Sequence, residues 1–315
     1  MGVLDVGGSH VTAALAQCSA DGVALVEQAG GPLDSAGTRN ELLTQLAAPA
    51  VALRDRDVGQ QAGASLSWVV AMPGPFDYVH GRGDFTGVAK FGSIAGVDLR
   101  TELSRRWEVA PQQVRFVNDA AAYGIGEWAA TAFSSSDRPA RFVCLTLGTG
   151  VGSVFLDEGK PVVDGPTVPP HGWAHRLTFE GRPLEDTVSS RAITADYQRR
   201  ASLTRPVEVR DIAGAARDGD VHARAALSTA MEALGVTLGP WVARFAADQV
   251  FIGGAMSQSW DLLEAPLRAG LERGRAGRDG DAPTLRRAAL LADAPLVGAA
   301  EWFRTSWSPS PAPTP

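Results

Sequence analysis

The chain has 315 residues, 45% hydrophobic and 20% charged, a composition that buries a sizeable core and suits a folded globular protein. Its 29 Lys plus Arg against 35 Asp plus Glu leave a net charge of −6, which speaks against nucleic acid as the main partner because phosphate-backbone binders carry a basic face. Two cysteines, Cys18 and Cys144, exclude a disulfide framework or a cysteine-rich zinc site. No apolar run approaches the ~18 residues of a membrane helix, so a cytoplasmic protein without a membrane partner is expected.

Residues 3–6 read as a buried strand, Gly7-Gly8-Ser9 as a turn and 11–16 as a returning strand, with a third strand around 23–28. Leu42, Leu43, Leu46 and Val51 have helical spacing, which predicts a helix over 40–53. The apolar run 65–72 is a strand that stops at Pro73-Gly74-Pro75. Residues 76–97 lack periodicity and read as a long loop, a feature that is usually functional inside a compact domain. A helix over 98–107 leads to a strand over 114–117 and then to Asn118-Asp119, where Asp119 is the expected cap of the next helix.

The second half repeats the opening. A strand over 142–147, the turn Gly148-Thr149-Gly150-Val151-Gly152 and a strand over 153–156 precede a hairpin into 161–163. Helices are expected over 185–201, 209–215 and 221–246. A strand over 249–252 then ends at Gly253-Gly254, followed by a helix over 259–271, a strand over 285–291 and a closing helix over 295–303. Residues 304–315 form a Ser/Pro tail expected to be disordered. Two halves that each begin with a glycine-turned hairpin imply a duplicated α/β architecture with a cleft. The expected domains are 1–118 and 119–303, with the closing helix returning to the first.

Glycines between two strands free the backbone to curl around phosphate oxygens and offer them N–H donors. Gly7, Gly8 and Ser9 are such a set, and Asp5 at the strand end suits a hydrated magnesium ion; a plain hairpin turn fits the same residues. Gly148, Thr149 and Gly150 form the second set, and because a strand follows them rather than a helix, a dinucleotide-binding loop is disfavoured. Phosphoryl transfer to an alcohol needs a carboxylate that takes the hydroxyl proton, and Asp119 is the candidate, although a helix cap would use the same residue. Gly253 and Gly254 leave room for a flat ring or simply make a tight turn. His175 and Glu185 are individually ordinary, a lone histidine and a favourable charge at a helix start.

Taken in order, these residues resemble the ROK family of bacterial sugar kinases and related repressors, in the hexokinase–actin superfamily. Asp5-Val6-Gly7-Gly8-Ser9 and Leu147-Gly148-Thr149-Gly150-Val151-Gly152 match its two phosphate motifs. Pro73-Gly74-Pro75-Phe76-Asp77 with Gly81, Asn118-Asp119 with the downstream Gly126-Glu127, Val250-Phe251-Ile252-Gly253-Gly254 and Val297-Gly298-Ala299-Ala300 match four further segments.

The resemblance implies an actin-like, ribonuclease H-like fold of two α/β domains. It implies an ATP- and Mg2+-dependent kinase, often a homodimer, that phosphorylates a hexose or amino-hexose at the 6-hydroxyl. Asp119 would be the general base, with Asn118, His175, Glu185 and Gly74 at the sugar. Asp5 would hold magnesium through water, and Gly7, Gly8, Ser9, Gly148, Thr149, Gly150, Gly253 and Gly254 would hold the nucleotide. The loop around Lys90 and Phe91 is a candidate wall of the sugar pocket.

Two departures stand out. His171-Gly172-Trp173-Ala174-His175 has Gly172 where the family's sugar motif has Glu, which puts the usual hexose specificity in question. The nearby acids Glu180 and Glu185 suit an ammonium, so an amino-hexose such as glucosamine or kanosamine is a candidate substrate. The family's zinc cysteines are absent from 176–183, so no structural zinc is expected. A sugar-responsive repressor is disfavoured because the first phosphate motif begins at Asp5. The alternative is a non-catalytic sugar-binding or regulatory protein of the same fold.

Overall fold

The computed structural model describes residues 1–57, 66–88, 90–131, 139–277 and 280–306. Its contacts divide the chain into two compact units, Met1–Ala129 with the segment from Asp293, and Ala130–Ala292. The division therefore falls at 129/130, inside a helix, and not at 118/119. The last helix, Ala294–Ser306, belongs to the first unit, and the tail from 307 lies outside the described residues.

In the first unit β1 (Gly2–Val6), β2 (His10–Ser19) and β3 (Gly22–Pro32) run as an antiparallel meander into α1 (Arg39–Asp57) and β4 (Trp68–Met72). The expected loop over 76–97 contains a short antiparallel pair, β5 (Phe76–Asp77) and β6 (Arg82–Gly83). Then come α2 (Leu99–Trp107), β7 (Val114–Asn118) and α3 (Asp119–Thr131), and the sheet order is β3-β2-β1-β4-β7. Strands β1, β4 and β7 are parallel, and the first two are almost wholly buried, as strands covered on both faces are. Register pairs Asp5 with Ala71 and Ala71 with Val117, so Asp5 and the Asn118-Asp119 step lie at the carboxyl ends of these strands. Ligand crevices of parallel sheets form at such ends.

The second unit repeats the plan. Strands β8 (Arg141–Leu147), β9 (Val151–Asp157) and β10 (Lys160–Pro161) form an antiparallel meander, and a short hairpin follows, β11 (Thr178–Phe179) with β12 (Arg182–Pro183). Glu180 (φ 50°) and Gly181 (φ 77°) close that hairpin in left-handed backbone, the geometry of a two-residue primed turn. Helices α4 (Glu185–Val188), α5 (Ser190–Ala201), α6 (Val209–Arg217) and α7 (Val221–Phe245) follow, then β13 (Gln249–Gly253), α8 (Trp260–Arg275) and β14 (Thr284–Arg287). The order β10-β9-β8-β13-β14, with β8, β13 and β14 parallel, copies the first sheet strand for strand.

Two sequence expectations change here. The helix over 185–201 is broken at Ser189, whose extended backbone (ψ 157°) ends α4 while its hydroxyl accepts from the Ala192 N–H to cap α5. The strand over 285–291 stops at Arg287, and the chain turns through a 3-10 segment from Leu291 (φ 52°).

Glycines set the closest helix contacts. On α7 and α8, Gly235 and Gly239 meet Gly270 and Gly274, and a Cβ on any of the four would collide with the opposing backbone. In the first unit, a Cβ on Gly126 of α3 would strike the Ala294 carbonyl, and one on Gly298 of the last helix would strike the Ala122 carbonyl. The Gly-Glu and Val-Gly-Ala-Ala segments thus form one contact that seats the helix beginning at Asp119.

Candidate functional site

The first unit gathers Asp5, the Gly7-Gly8-Ser9 turn, Gly74, Asn118 and Asp119. The turn closes the β1–β2 hairpin through the Gly7 N–H bond to the His10 carbonyl (2.9 Å), and the N–H groups of Gly8 and Ser9 find no acceptor among the described residues. Two unspent donors on a glycine turn are what an anionic oxygen requires.

Asp119 opens α3, but it is not the cap. Asn118 is: its Oδ1 accepts from the Ala121 N–H at 3.0 Å, while its Nδ2 donates to Asp119 Oδ1 at 3.1 Å and to the Tyr78 hydroxyl at 2.9 Å. Tyr78 in turn donates to the Met72 carbonyl at 3.1 Å, and Gly74 lies beside its hydroxyl, 3.6 Å from where a Cβ would be. Asp119 Oδ1 also accepts from the Ala120 N–H at 2.8 Å. One carboxylate oxygen is therefore pinned, and Oδ2 accepts from no other residue among those described. Both amide hydrogens of Asn118 are spent on holding Tyr78 and Asp119. Tyr78 was not singled out from the sequence, and its place in a Pro-Gly-Pro-x-Asp-Tyr run was the signal available.

Burial raises the pKa of Asp119 above the ordinary carboxylate range. Burial first, and the neighbouring Asp119 charge second, push Asp5 up to about 7. The ordinary value is 3.8, so the unfolded chain releases this proton near pH 4 while the folded chain keeps it until about 7. Folding stability falls as pH rises through that window, and the full cost persists above it. Asp5→Asn is therefore expected to stabilise the ligand-free protein by about 2 to 4 kcal/mol at pH 8 and by little at pH 4. Thermal melts of both proteins across that range check it, and a stability gap that does not widen with pH refutes it.

The second unit gathers Gly148, Thr149, Gly150, His175, Glu185, Gly253 and Gly254. The β8–β9 turn is pinned from outside: the Gly148 carbonyl accepts from both the N–H (2.9 Å) and the hydroxyl (2.7 Å) of Ser190, and the Val151 N–H donates to Glu185 Oε2 at 3.1 Å. Thr149 and Gly150 keep N–H groups without an acceptor among the described residues. Gly254 (φ 77°) follows β13 directly and lies against the Leu147 backbone, where a Cβ would collide, so the Gly253-Gly254 corner sits beside the phosphate-type turn. Ser190 has no sequence signal beyond following a capping serine.

His175 is half-buried near Glu185. Burial lowers its pKa, the Glu185 charge opposes that, and the net shift leaves a neutral imidazole at pH 7. Its segment is fixed by Ser153, whose hydroxyl donates to the Gly172 carbonyl at 2.6 Å and accepts from the Ala174 N–H at 2.8 Å. His171 (φ 59°) and Gly172 (φ 71°) are both left-handed, a run that glycine adopts freely. The position of the family's Glu is thus held here by backbone geometry that favours glycine, and the Trp173 ring contacts both the Arg176 guanidinium (4.4 Å) and the His171 ring (4.7 Å). No helix among the described residues is long and apolar enough to cross a membrane.

Comparison with known proteins places this arrangement. An N-acetyl-D-glucosamine kinase of Shigella flexneri serotype 5b (strain 8401) is 26% identical over 262 residues, spanning 75% of this chain and 83% of that protein. A ROK family glucokinase from Streptomyces griseus, solved with glucose and AMPPNP, superposes with a TM-score of 0.72 at 20% identity, over 96% of this chain and 99% of its own. A ROK family transcriptional regulator homologous to the E. coli MLC protein superposes with a TM-score of 0.70 at 16% identity, over 94% of this chain and 76% of its own. The fold is the α/β, actin-like ATPase fold of these proteins. Kinase and regulator share it, so the fold alone does not assign the activity. The ROK family model matches residues 1–306, and the chain belongs to that family.

Proposed function

We propose that this protein is a sugar kinase that transfers the terminal phosphoryl group of ATP to a hexose or amino-hexose, at the 6-hydroxyl. The observation that carries the reading is Asp119, a buried carboxylate with one oxygen pinned by Asn118 and the Ala120 N–H and the other unengaged. A carboxylate with its pKa raised by burial is a stronger base near neutrality than an exposed one. In the proposed step Oδ2 takes the proton of the sugar hydroxyl, the hydroxyl oxygen attacks the terminal phosphorus, and the bond to the ADP oxygen breaks. Asn118 and Tyr78 position the base, and the unspent amides at Gly8, Ser9, Thr149 and Gly150 bind phosphate oxygens. Gly253 and Gly254 suit the adenosine side.

Magnesium fits the donor set at Asp5. Such an ion would be held by one or two carboxylates, water and substrate phosphates. Bound there, it neutralises phosphate charge. The buried pair Asp5 and Asp119, whose mutual repulsion raises Asp5, is what a divalent cation relieves.

His175 and Glu185 belong to the sugar end in this reading, with the neutral imidazole as a hydroxyl partner. The Gly172 backbone supplies no carboxylate, which favours a sugar other than the family's commonest hexoses. The relatives that act on N-acetyl-D-glucosamine and glucose set two arms of the test, and amino-hexoses set the third.

The test is ADP release from Mg-ATP against hexoses, amino-hexoses and N-acetyl-hexosamines. Turnover with one sugar establishes the kinase and names its substrate. Sugar binding without turnover on any of them sinks the kinase reading in favour of a non-catalytic binding protein. A clear preference for glucose with amino-hexoses ignored removes the amino-sugar specificity.

A further inference from the structure

We propose that Lys90 binds the polyphosphate end of the nucleotide at the first glycine turn. The assignment rests on the kinase reading above and adds to it a cation that the turn otherwise lacks.

The Lys90 side chain lies along Gly8: a Cβ built on Gly8 would be 2.6 Å from Lys90 Nζ and 3.4 Å from its Cε. The absent side chain of Gly8 thus leaves the space that the ammonium occupies, at a turn whose Gly8 and Ser9 N–H groups are unspent among the described residues. Amides alone give an anion partial charges, whereas an ammonium beside them gives a full one and shorter, stronger hydrogen bonds. The other ionisable groups gathered at this end of the sheet are the acids Asp5 and Asp119, which offer a polyphosphate no positive charge.

Lys90 is also unspent. Among the described residues it makes no ion pair, although arginines elsewhere in the chain are widely paired, as Arg106 with Glu102 and Arg217 with Asp261. Of the 29 basic residues only two are lysines, Lys90 and Lys160. A compact ammonium on a flexible stem reaches a single phosphate oxygen where the flat guanidinium fork needs more room.

The neighbouring backbone is held in place at a cost. Phe91 is left-handed (φ 63°) yet almost fully buried, its ring tilted against that of Phe85 at 5.3 Å, with its N–H donating to the Ser35 carbonyl at 2.7 Å. A bulky residue adopts that conformation only where packing over-determines it, and such strain clusters at functional sites. Here it fixes the chain direction immediately after the lysine. In this assignment the ammonium of Lys90 serves the phosphate end.

The experiment is isothermal titration of the full chain and of Lys90→Ala and Lys90→Arg with Mg-ATP, Mg-ADP and adenosine, paired with sugar KM on the best substrate. Lys90→Ala is expected to weaken Mg-ATP roughly tenfold or more, and to leave adenosine within about twofold, with Lys90→Arg recovering part of the loss. Lys90 is exposed, so a melting temperature equal to the parent's is expected in both variants. Unchanged Mg-ATP affinity with a raised sugar KM overturns the assignment while leaving the kinase reading intact. Equal loss of adenosine and Mg-ATP also overturns it, because the effect would not be at the phosphates. A parent protein that binds no Mg-ATP defeats the kinase reading, and the Lys90 assignment with it.

Discussion

Asp119→Asn is expected to lower kcat by about 10²–10⁴-fold while sugar and nucleotide binding persist. The amide keeps the shape of the carboxylate but cannot accept the hydroxyl proton. The pinned position also survives, because the Ala120 N–H still has an oxygen to meet, as at Asp119 Oδ1 now. The loss corresponds to about 3 to 5 kcal/mol of transition-state stabilisation. Removing a buried charge whose pKa is raised by desolvation also makes the variant at least as stable as the parent above neutral pH. Steady-state kinetics, sugar titration and a thermal melt together check the three parts. Near-normal turnover would remove Asp119 from the role of base. Lost sugar binding would instead make it a substrate-holding group.

Gly298→Val should be the most damaging single change away from the chemistry, at about 3 kcal/mol. The last helix lies against α3 so closely that a Cβ at Gly298 would collide with the Ala122 carbonyl, and one at Gly126 with the Ala294 carbonyl. Backbone cannot move aside as a side-chain end can, so the helices must separate, and α3 carries Asp119 at its first residue. Activity should fall with stability for that reason.

The diagnostic control is the sign of a smaller change. A glycine inside a helix normally gains about 0.5–1 kcal/mol on replacement by alanine. That gain is expected at Gly214 of α6, where an added Cβ meets nothing within 4 Å. At Gly298 the same replacement should destabilise. Equal signs in urea unfolding of the two alanine variants would refute the close-contact account.

Several of these features were legible in the sequence. The paired glycine turns read directly, because a glycine pair between two apolar strands is a local pattern that leaves few conformations. The buried strands read from their apolar runs, and a duplicated α/β architecture followed from two similar openings. Asn118 and Asp119 were also picked out, but the cap of α3 was assigned to Asp119. Which of two adjacent polar residues caps α3 depends on side-chain direction, and it is Asn118 that caps, leaving Asp119 with a free oxygen.

What the sequence by itself determined is the α/β class, the order of strands, turns and most helices, and the short list of residues with useful chemistry. Those follow from local propensity and from periodic burial. Only the tertiary structure decided which distant groups meet: Glu185 on the Val151 N–H 34 residues away, Tyr78 on Asn118 across 40, Ser190 on Gly148 across 42, and Lys90 beside Gly8. It also decided that Gly126 and Gly298 are packing surfaces and that Gly172 answers a left-handed backbone. Such contacts form when sheets and helices are brought together by burial of their apolar faces, and no local pattern specifies which distant side chain arrives at a given turn.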